Sequence, residues 1–171
     1  MKVRKVSFTG SIATGKKIQE AAAKSNLKRV TLELGGKSPA VIFDDCNLEN
    51  AINSTTNALV LNTGQVCFAS TRVYVQESIS DKFIEGYKTK LKEMSSTIGD
   101  PDSTETTIGP LVDGAQFKRV TGFIERGQDG QGTMILGGNR VGDKVISLPT
   151  QEFGAKSFLR DTTSNQPSFG M

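Results

Sequence analysis

The stretch VTLELGGK, residues 30–37, decides the fold of this chain. Its β-branched and apolar residues predict a strand over 29–34, which the glycine pair at 35–36 ends. A short strand over 5–8 and a helix over about 13–23 are predicted before it. A strand, a helix and a second strand in this order are typical of a βαβ unit, which implies a parallel sheet. The predicted fold class is therefore α/β.

The rest of the chain continues this alternation of strands and helices. The further elements are a strand over 39–43, a helix capped by Asn47 and ending near Asn62, a strand over 71–75, a helix capped by Ser80, a helix capped by Asp113 and a strand over 134–136. After about Asp143 the sequence is dominated by Ser, Thr, Gln, Pro and Gly. Residues 147–171 are therefore predicted to form a poorly ordered tail.

The composition excludes several classes of protein. With 171 residues, 36% of them hydrophobic and 23% charged, the chain fits one globular domain or two small ones. The net charge of +3 comes from scattered Lys and Arg, so no nucleic-acid partner is predicted. No apolar run approaches the roughly 18 residues of a membrane span, so no membrane association is predicted. No secretory segment follows Met1, which predicts a cytoplasmic protein with two free thiols.

The sequence contains no histidine, and this absence limits the possible chemistry. Hydrolases built on Cys-His or Ser-His pairs and metal sites built on imidazole are excluded. Two cysteines are too few for an all-thiolate zinc site, so no metal is predicted. A catalytic cysteine in this chain must be activated by a carboxylate, a helix N-terminus or a bound cation.

Cys67 is the better candidate nucleophile of the two cysteines. It ends the stretch NTGQVC, residues 62–67, in a predicted loop among small residues. The alternative is a small buried side chain, which is the commonest fate of a free cysteine. Cys46 follows Asp44 and Asp45, whose negative charge disfavours a thiolate, and we interpret it as a structural or surface thiol.

Glu33 is an acidic residue inside an apolar strand. An unpaired carboxylate is costly to bury, so Glu33 is expected to reach a polar cleft, to stay buried in its protonated form or, on an edge strand, to point into water. In the first case, Glu33 and Cys67 would provide the base and the nucleophile of a covalent reaction.

The stretch GSIATGK, residues 10–16, lies between a predicted strand and a predicted helix. Glycines at such a turn let the backbone approach a phosphate, and the helix N-terminus supplies free N–H groups. The stretch fits the first seven positions of a P-loop, but Lys17 stands where the magnesium-binding Ser or Thr belongs. These residues alone leave three alternatives open: a phosphate site, a P-loop-like nucleotide-binding protein, and a glycine turn that binds nothing.

Four motifs together resemble the aldehyde dehydrogenase superfamily. They are FTGS at 8–11 with Gly15, LELGGKSP at 32–39, GQVC at 64–67 and IGP at 108–110. The resemblance covers residues 6–138 and implies the oxidation of a small-molecule aldehyde to a carboxylic acid, with NAD or NADP as cofactor. It also displaces the P-loop interpretation, because one family accounts for all four motifs.

The resemblance implies a role for each candidate residue. Cys67 is the implied nucleophile, and its backbone N–H helps to hold the oxyanion. Glu33 is the implied general base, which activates the water that hydrolyses a thioester. The residues implied to lie near the cofactor are Gly10, Ser11 and Gly15, against the dinucleotide, and Leu34, towards the nicotinamide.

The resemblance also implies a partial aldehyde dehydrogenase fold, with an incomplete Rossmann-like part and part of the catalytic domain. Residues 1–35 correspond to the C-terminal part of the dinucleotide-binding domain, 36–146 to a partial catalytic domain and 147–171 to a divergent tail. Because several cofactor-binding motifs of the family have no counterpart, the chain is expected to be truncated. It is then either an enzyme or a catalytically inactive remnant that binds a partner, or forms an oligomer, through exposed sheet edges.

Overall fold

A computed structural model describes residues 2–128, 133–138, 140 and 152–154 of the chain. In chain order, its helices and strands are β1 (Lys5–Gly10), α1 (Ile12–Ser25), β2 (Arg29–Leu34), β3 (Pro39–Ile42), α2 (Leu48–Val60), β4 (Arg72–Val75), α3 (Ser80–Ser95), α4 (Gly114–Gln128), β5 (Thr133–Leu136) and β6 (Glu152–Gly154). The strands form three pairs, β1 with β2, β3 with β4, and β5 with β6. The first two pairs are parallel and the third is antiparallel. The predicted α/β class with parallel βαβ units is confirmed.

The first βαβ unit consists of β1, α1 and β2. Strand β1 is two residues longer than its sequence predicts, because it pairs with β2 along its whole length. In the parallel register Thr9 lies opposite Glu33, and Gly10 lies opposite Leu34. The turn between β1 and α1 is therefore next to the end of β2 that carries the candidate base.

The second βαβ unit consists of β3, α2 and β4, with Pro39 opposite Arg72 in the parallel register. Asn47 is the N-cap of α2, as predicted, since its side-chain oxygen accepts a hydrogen bond of 2.9 Å from the Asn50 N–H. After α2 the chain returns to β4 through residues 61–71. Cys67 lies in this connection.

A buried hydrophobic cluster lies between α3 and the β3–α2–β4 unit. Its buried members are Ile42, Phe83, Tyr87 and Leu91, and the rings of Phe83 and Tyr87 stack with their centroids 5.4 Å apart. The three α3 residues repeat every four positions and therefore share one helix face, as their spacing predicts. This burial fixes the second βαβ unit, and with it the connection that carries Cys67.

The start of α3 differs from the prediction that Ser80 caps it. The helix begins at Ser80 itself, with Ile79 in the N-cap position. A short turn over Glu77–Ile79 precedes it, and the Ser80 hydroxyl donates to the carbonyl of Glu77 at 3.0 Å instead of capping the helix. The predicted cap of α4 is confirmed, because Asp113 Oδ1 accepts a hydrogen bond of 2.7 Å from the Gln116 N–H.

The predicted tail, residues 147–171, lies outside the described residues except for Glu152–Gly154. Those three residues form β6, which pairs with β5. In the part of the chain that the structure describes, none of the helices combines the length and the apolar character that crossing a membrane requires.

Candidate active site

Cys67 follows a sharp reversal of the chain at the end of α2. Three consecutive residues there have positive φ, with values of 49° at Asn62, 58° at Thr63 and 72° at Gly64. Glycine adopts this conformation freely and asparagine tolerates it, but a β-branched threonine does so only when its surroundings hold it there. The path of the loop is therefore set by tertiary contacts as well as by its own sequence.

The side chain of Cys67 is exposed, so the alternative of a small buried side chain is wrong for this residue. The neighbouring residues Thr63 and Ala69 are buried and hold the loop to the body of the protein on both sides. The Cys67 carbonyl accepts a hydrogen bond of 3.0 Å from the Ser38 hydroxyl. Among the described residues, none accepts a hydrogen bond from the Cys67 N–H. An exposed thiol with a free N–H beside it is suited to attack a carbonyl and to bind the resulting oxyanion.

The segment that follows Glu33 runs against the backbone of Cys67. Ser38 makes the hydrogen bond just described, and a side chain at Gly36 would lie 3.7 Å from the Cys67 carbonyl oxygen. Arg72 adds two links between the same segments, from its Nε to the Lys37 carbonyl at 2.8 Å and from its N–H to the Ser38 carbonyl at 3.3 Å. Glu33, near the end of β2, is exposed, so it is not the buried carboxylate that its apolar strand allows.

The turn from β1 into α1 carries the residues implied to bind the cofactor. Gly10 and Ser11 are exposed, and the Ser11 side chain caps α1 by accepting a hydrogen bond of 3.2 Å from the Thr14 N–H. Gly15 is buried, and a side chain there would come within 2.9 Å of Leu34 Cδ2. Gly15 and Leu34 therefore pack α1 on β2, whereas Gly10 and Ser11 face solvent.

The N-terminus of α1 fits an anionic group such as the pyrophosphate of a dinucleotide. The N–H groups of Ile12 and Ala13 have no intrahelical acceptor, and the helix dipole is positive at this end. The first turn has no acidic residue, and the exposed cations of Lys16 and Lys17 follow it. An anion at this helix end would offset the unfavourable position of two cations near a positive dipole.

Asp44, the first of the two aspartates before Cys46, is engaged in a local network of hydrogen bonds. Asp44 Oδ2 accepts hydrogen bonds of 2.7 Å from Gln76 Nε2 and 2.9 Å from the Ser78 hydroxyl. The Asp44 N–H donates in turn to Gln76 Oε1 at 3.0 Å. These contacts tie the end of β3 to the end of β4. Within the described residues no group of three or more acidic or cysteine side chains is placed to hold a metal ion.

Sequence patterns alone did not indicate the contribution of four residues to the site: Ser38, Thr63, Gln65 and Arg72. Ser38 and Gln65 lie inside two of the quoted motifs, LELGGKSP and GQVC, so their positions carried a signal. Their hydrogen bonds join segments about 30 to 50 residues apart, which a local pattern does not reveal.

The different burial of the two cysteines predicts different reactivity. Cys67 is exposed, whereas Cys46 is half-buried and packs against the cluster around Ile42. We expect iodoacetamide to alkylate Cys67 about tenfold faster than Cys46 in the folded chain, because the reagent must reach the sulfur. Peptide mapping by mass spectrometry at successive times measures both rates. Equal rates in the folded chain would contradict the exposure of Cys67, and unfolding in urea should abolish the difference.

The sequence of the chain is similar to those of known proteins. Residues 1–150 match the model of the aldehyde dehydrogenase family. An aldehyde dehydrogenase of Agaricus bisporus is 50% identical over 144 residues, which make up 84% of this chain and 28% of that relative. The chain thus spans less than a third of this relative's length.

Solved structures show the same similarity. Aldehyde dehydrogenase KauB from Pseudomonas aeruginosa superimposes with a TM-score of 0.84 and 36% identity, over 90% of this chain and 31% of that one. Betaine aldehyde dehydrogenase from Staphylococcus aureus, solved in complex with NAD+, superimposes with a TM-score of 0.79 and 33% identity, over 87% of this chain and 30% of that one. The chain belongs to the aldehyde dehydrogenase family.

Proposed function

We propose that this chain carries the nucleophile and the general base of an NAD(P)-dependent aldehyde dehydrogenase reaction, with Cys67 as nucleophile and Glu33 as base. The observation that carries this proposal is the hydrogen bond of 3.0 Å from the Ser38 hydroxyl to the Cys67 carbonyl. It ties an exposed thiol to the segment that directly follows an exposed carboxylate. Family membership supports the same reaction class.

The first step is the attack of the Cys67 thiolate on the aldehyde carbon. A carbon–sulfur bond forms, and the electron pair of the C=O π bond moves to the oxygen. The free N–H of Cys67 donates a hydrogen bond to this oxyanion. Because that N–H is not engaged with the described part of the protein, no existing hydrogen bond has to break first.

The second half of the reaction releases the acid. When bound, NAD(P) supplies the hydride acceptor that allows the sulfur-bound carbon to reach the oxidation level of a thioester. Glu33 then takes a proton from water as the water oxygen attacks the thioester carbon. The carbon–sulfur bond breaks, the electron pair returns to Cys67 as thiolate, and the product leaves as a carboxylic acid.

The proposed cofactor site lies at the turn from β1 into α1. Gly10 and Ser11 would lie against the dinucleotide beside the free N–H groups of α1. Gly15 and Leu34 would support this turn through their mutual packing, with Leu34 towards the nicotinamide. In the proposed division, residues 1–35 complete a dinucleotide-binding domain and 36–146 belong to the catalytic domain.

A second candidate function is binding without catalysis. Val41 on β3 and Phe43 just after it are exposed by more than half of their surface. Large exposed apolar side chains next to a two-stranded sheet favour association with another protein surface. In this alternative Cys67 and Glu33 would have no role in chemistry.

The experiment compares the wild-type chain with Cys67→Ser and with the matched control Cys46→Ser. Formation of NADH or NADPH is followed with a panel of aldehydes and each cofactor. We expect Cys67→Ser to lower the rate by about 10³-fold or more, since a serine hydroxyl is a poor nucleophile without an adjacent base. Cys46→Ser should retain the wild-type rate. Reduction that persists in Cys67→Ser would refute the nucleophile, and a wild-type chain without any turnover would favour the binding alternative.

A further inference from the structure

We propose that Thr63 and Gln65 are positioning residues that hold the N–H of Cys67 where an oxyanion forms. They do so by tying the nucleophile loop, residues 61–69, to an anchor segment, residues 108–112. This inference rests on the proposed function, because it assigns a purpose to the geometry around the nucleophile. It also gives a role to the IGP motif at 108–110, which the catalytic steps leave unused.

Gln65 closes the reversal at the start of the nucleophile loop. The Asn62 carbonyl accepts hydrogen bonds from the Gln65 N–H at 3.1 Å and from Gln65 Nε2 at 3.3 Å. The Asn62 amide donates back to the Gln65 carbonyl at 3.3 Å. These reciprocal bonds hold together a turn whose left-handed residues are unfavourable on their own.

Two further hydrogen bonds join the turn to the anchor segment. The Thr63 hydroxyl donates to the Gly109 carbonyl at 3.0 Å, and Gln65 Oε1 accepts from the Val112 N–H at 3.2 Å. Thr63 is 6% exposed, so its hydroxyl is shielded from water, and Gly109, whose carbonyl it meets, is half-buried. Removing this hydroxyl would leave a half-buried carbonyl without its partner, which is unfavourable.

The anchor segment is itself fixed to the rest of the protein. Ile108 and Leu111 are both buried. The Ile108 carbonyl accepts a hydrogen bond of 3.2 Å from the Gly99 N–H, and the Thr97 carbonyl, just after α3, accepts one of 3.3 Å from the Ile108 N–H. A rigid connection therefore runs from α3 through the anchor segment to the residues on the N-terminal side of Cys67.

The hydrogen bonds from Thr63 and Gln65 to the anchor segment form a tether. This tether matters for the chemistry because it does not engage the Cys67 N–H. It engages the residues before Cys67, and Ser38 engages the Cys67 carbonyl, while the Cys67 N–H stays without an acceptor in the described part of the chain. A donor held in place before the reaction stabilises an oxyanion without having to reorganise. If the tether is cut, the same N–H samples several orientations and fewer of them face the developing charge.

The test compares two reactions of Cys67 in the full chain. Acylation by p-nitrophenyl acetate passes through an oxyanion, whereas alkylation by iodoacetamide does not. We expect Thr63→Val and Gln65→Ala to slow acylation about tenfold or more and to change alkylation by less than about twofold. Thr63→Ser, which keeps the hydroxyl, should restore acylation. The matched control is Thr56→Val, because Thr56 is also buried but its hydroxyl donates only to carbonyls of its own helix.

Hydrogen exchange of the peptide that contains residues 61–69 provides a second measurement, which does not depend on the chemistry of Cys67. We expect this peptide to exchange at least about fivefold faster in Thr63→Val and to be unchanged in Thr56→Val. Equal losses in acylation and alkylation would overturn the proposal, because the tether would then act on access to the thiol. Unchanged exchange would overturn it as well. A wild-type chain that p-nitrophenyl acetate does not acylate at Cys67 refutes the proposed nucleophile, and hydrogen exchange then decides separately whether the tether exists.

Discussion

Replacing Glu33 with glutamine is expected to leave the acylation of Cys67 intact and to slow the release of the acyl group by about 10²-fold or more. Glutamine has the shape of glutamate but does not accept a proton from water, and general-base catalysis typically contributes about 10² to 10⁴ in rate. With p-nitrophenyl acetate as acyl donor, wild type should turn over continuously. The Glu33→Gln variant should release about one equivalent of p-nitrophenol rapidly and then almost stop.

Glu125→Gln is the matched control for this prediction, since Glu125 is an exposed glutamate on α4. It should behave like wild type in both phases. A Glu33→Gln variant whose steady phase equals that of wild type would show that Glu33 is not the base. A variant that lost the rapid phase as well would place Glu33 in the activation of the thiol instead.

The Leu91→Ala substitution is expected to lower the free energy of unfolding by about 2–5 kcal/mol. Leu91 is 1% exposed and belongs to the buried cluster between α3 and the β3–α2–β4 unit. Truncation removes buried methyl groups and leaves a cavity that the surrounding side chains fill only in part. Urea unfolding followed by circular dichroism measures the change.

Leu27→Ala makes the same chemical change at a residue that is 83% exposed. It should alter the free energy of unfolding by less than about 0.5 kcal/mol, because the Leu27 side chain stays largely in contact with water in the folded chain. If both variants lost the same stability, the cluster around Leu91 would not be the main buried contact of the second βαβ unit.

Local patterns in the sequence predicted most of the elements because each pattern has a local cause. Three such patterns act within a few positions of the chain. They are the alternation of apolar residues in β2, the Asn47 cap of α2 and the four-residue spacing of Phe83, Tyr87 and Leu91. The last two residues of β1 were missed because their strand conformation depends on pairing with β2. The false cap at Ser80 arose because a preceding turn already occupies its hydroxyl.

Some properties of the candidate site also follow from local motifs, whereas others depend on the fold. Cys67 and Glu33 were found because their motifs are specific to a family, not because a periodicity pointed to them. The exposure of both side chains and the free N–H of Cys67 depend on how distant segments meet, and the sequence pattern left these properties open. Gly15 was assigned to the cofactor from its motif alone, while its packing against Leu34 became visible only in the fold.

Mass spectrometry of the Glu33→Gln chain after brief exposure to p-nitrophenyl acetate tests the central claim most directly. We expect one added acetyl group, located by peptide mapping on Cys67, which persists in Glu33→Gln and decays rapidly in wild type. An acetyl group that is located on another residue, or that decays equally fast in both chains, would contradict it.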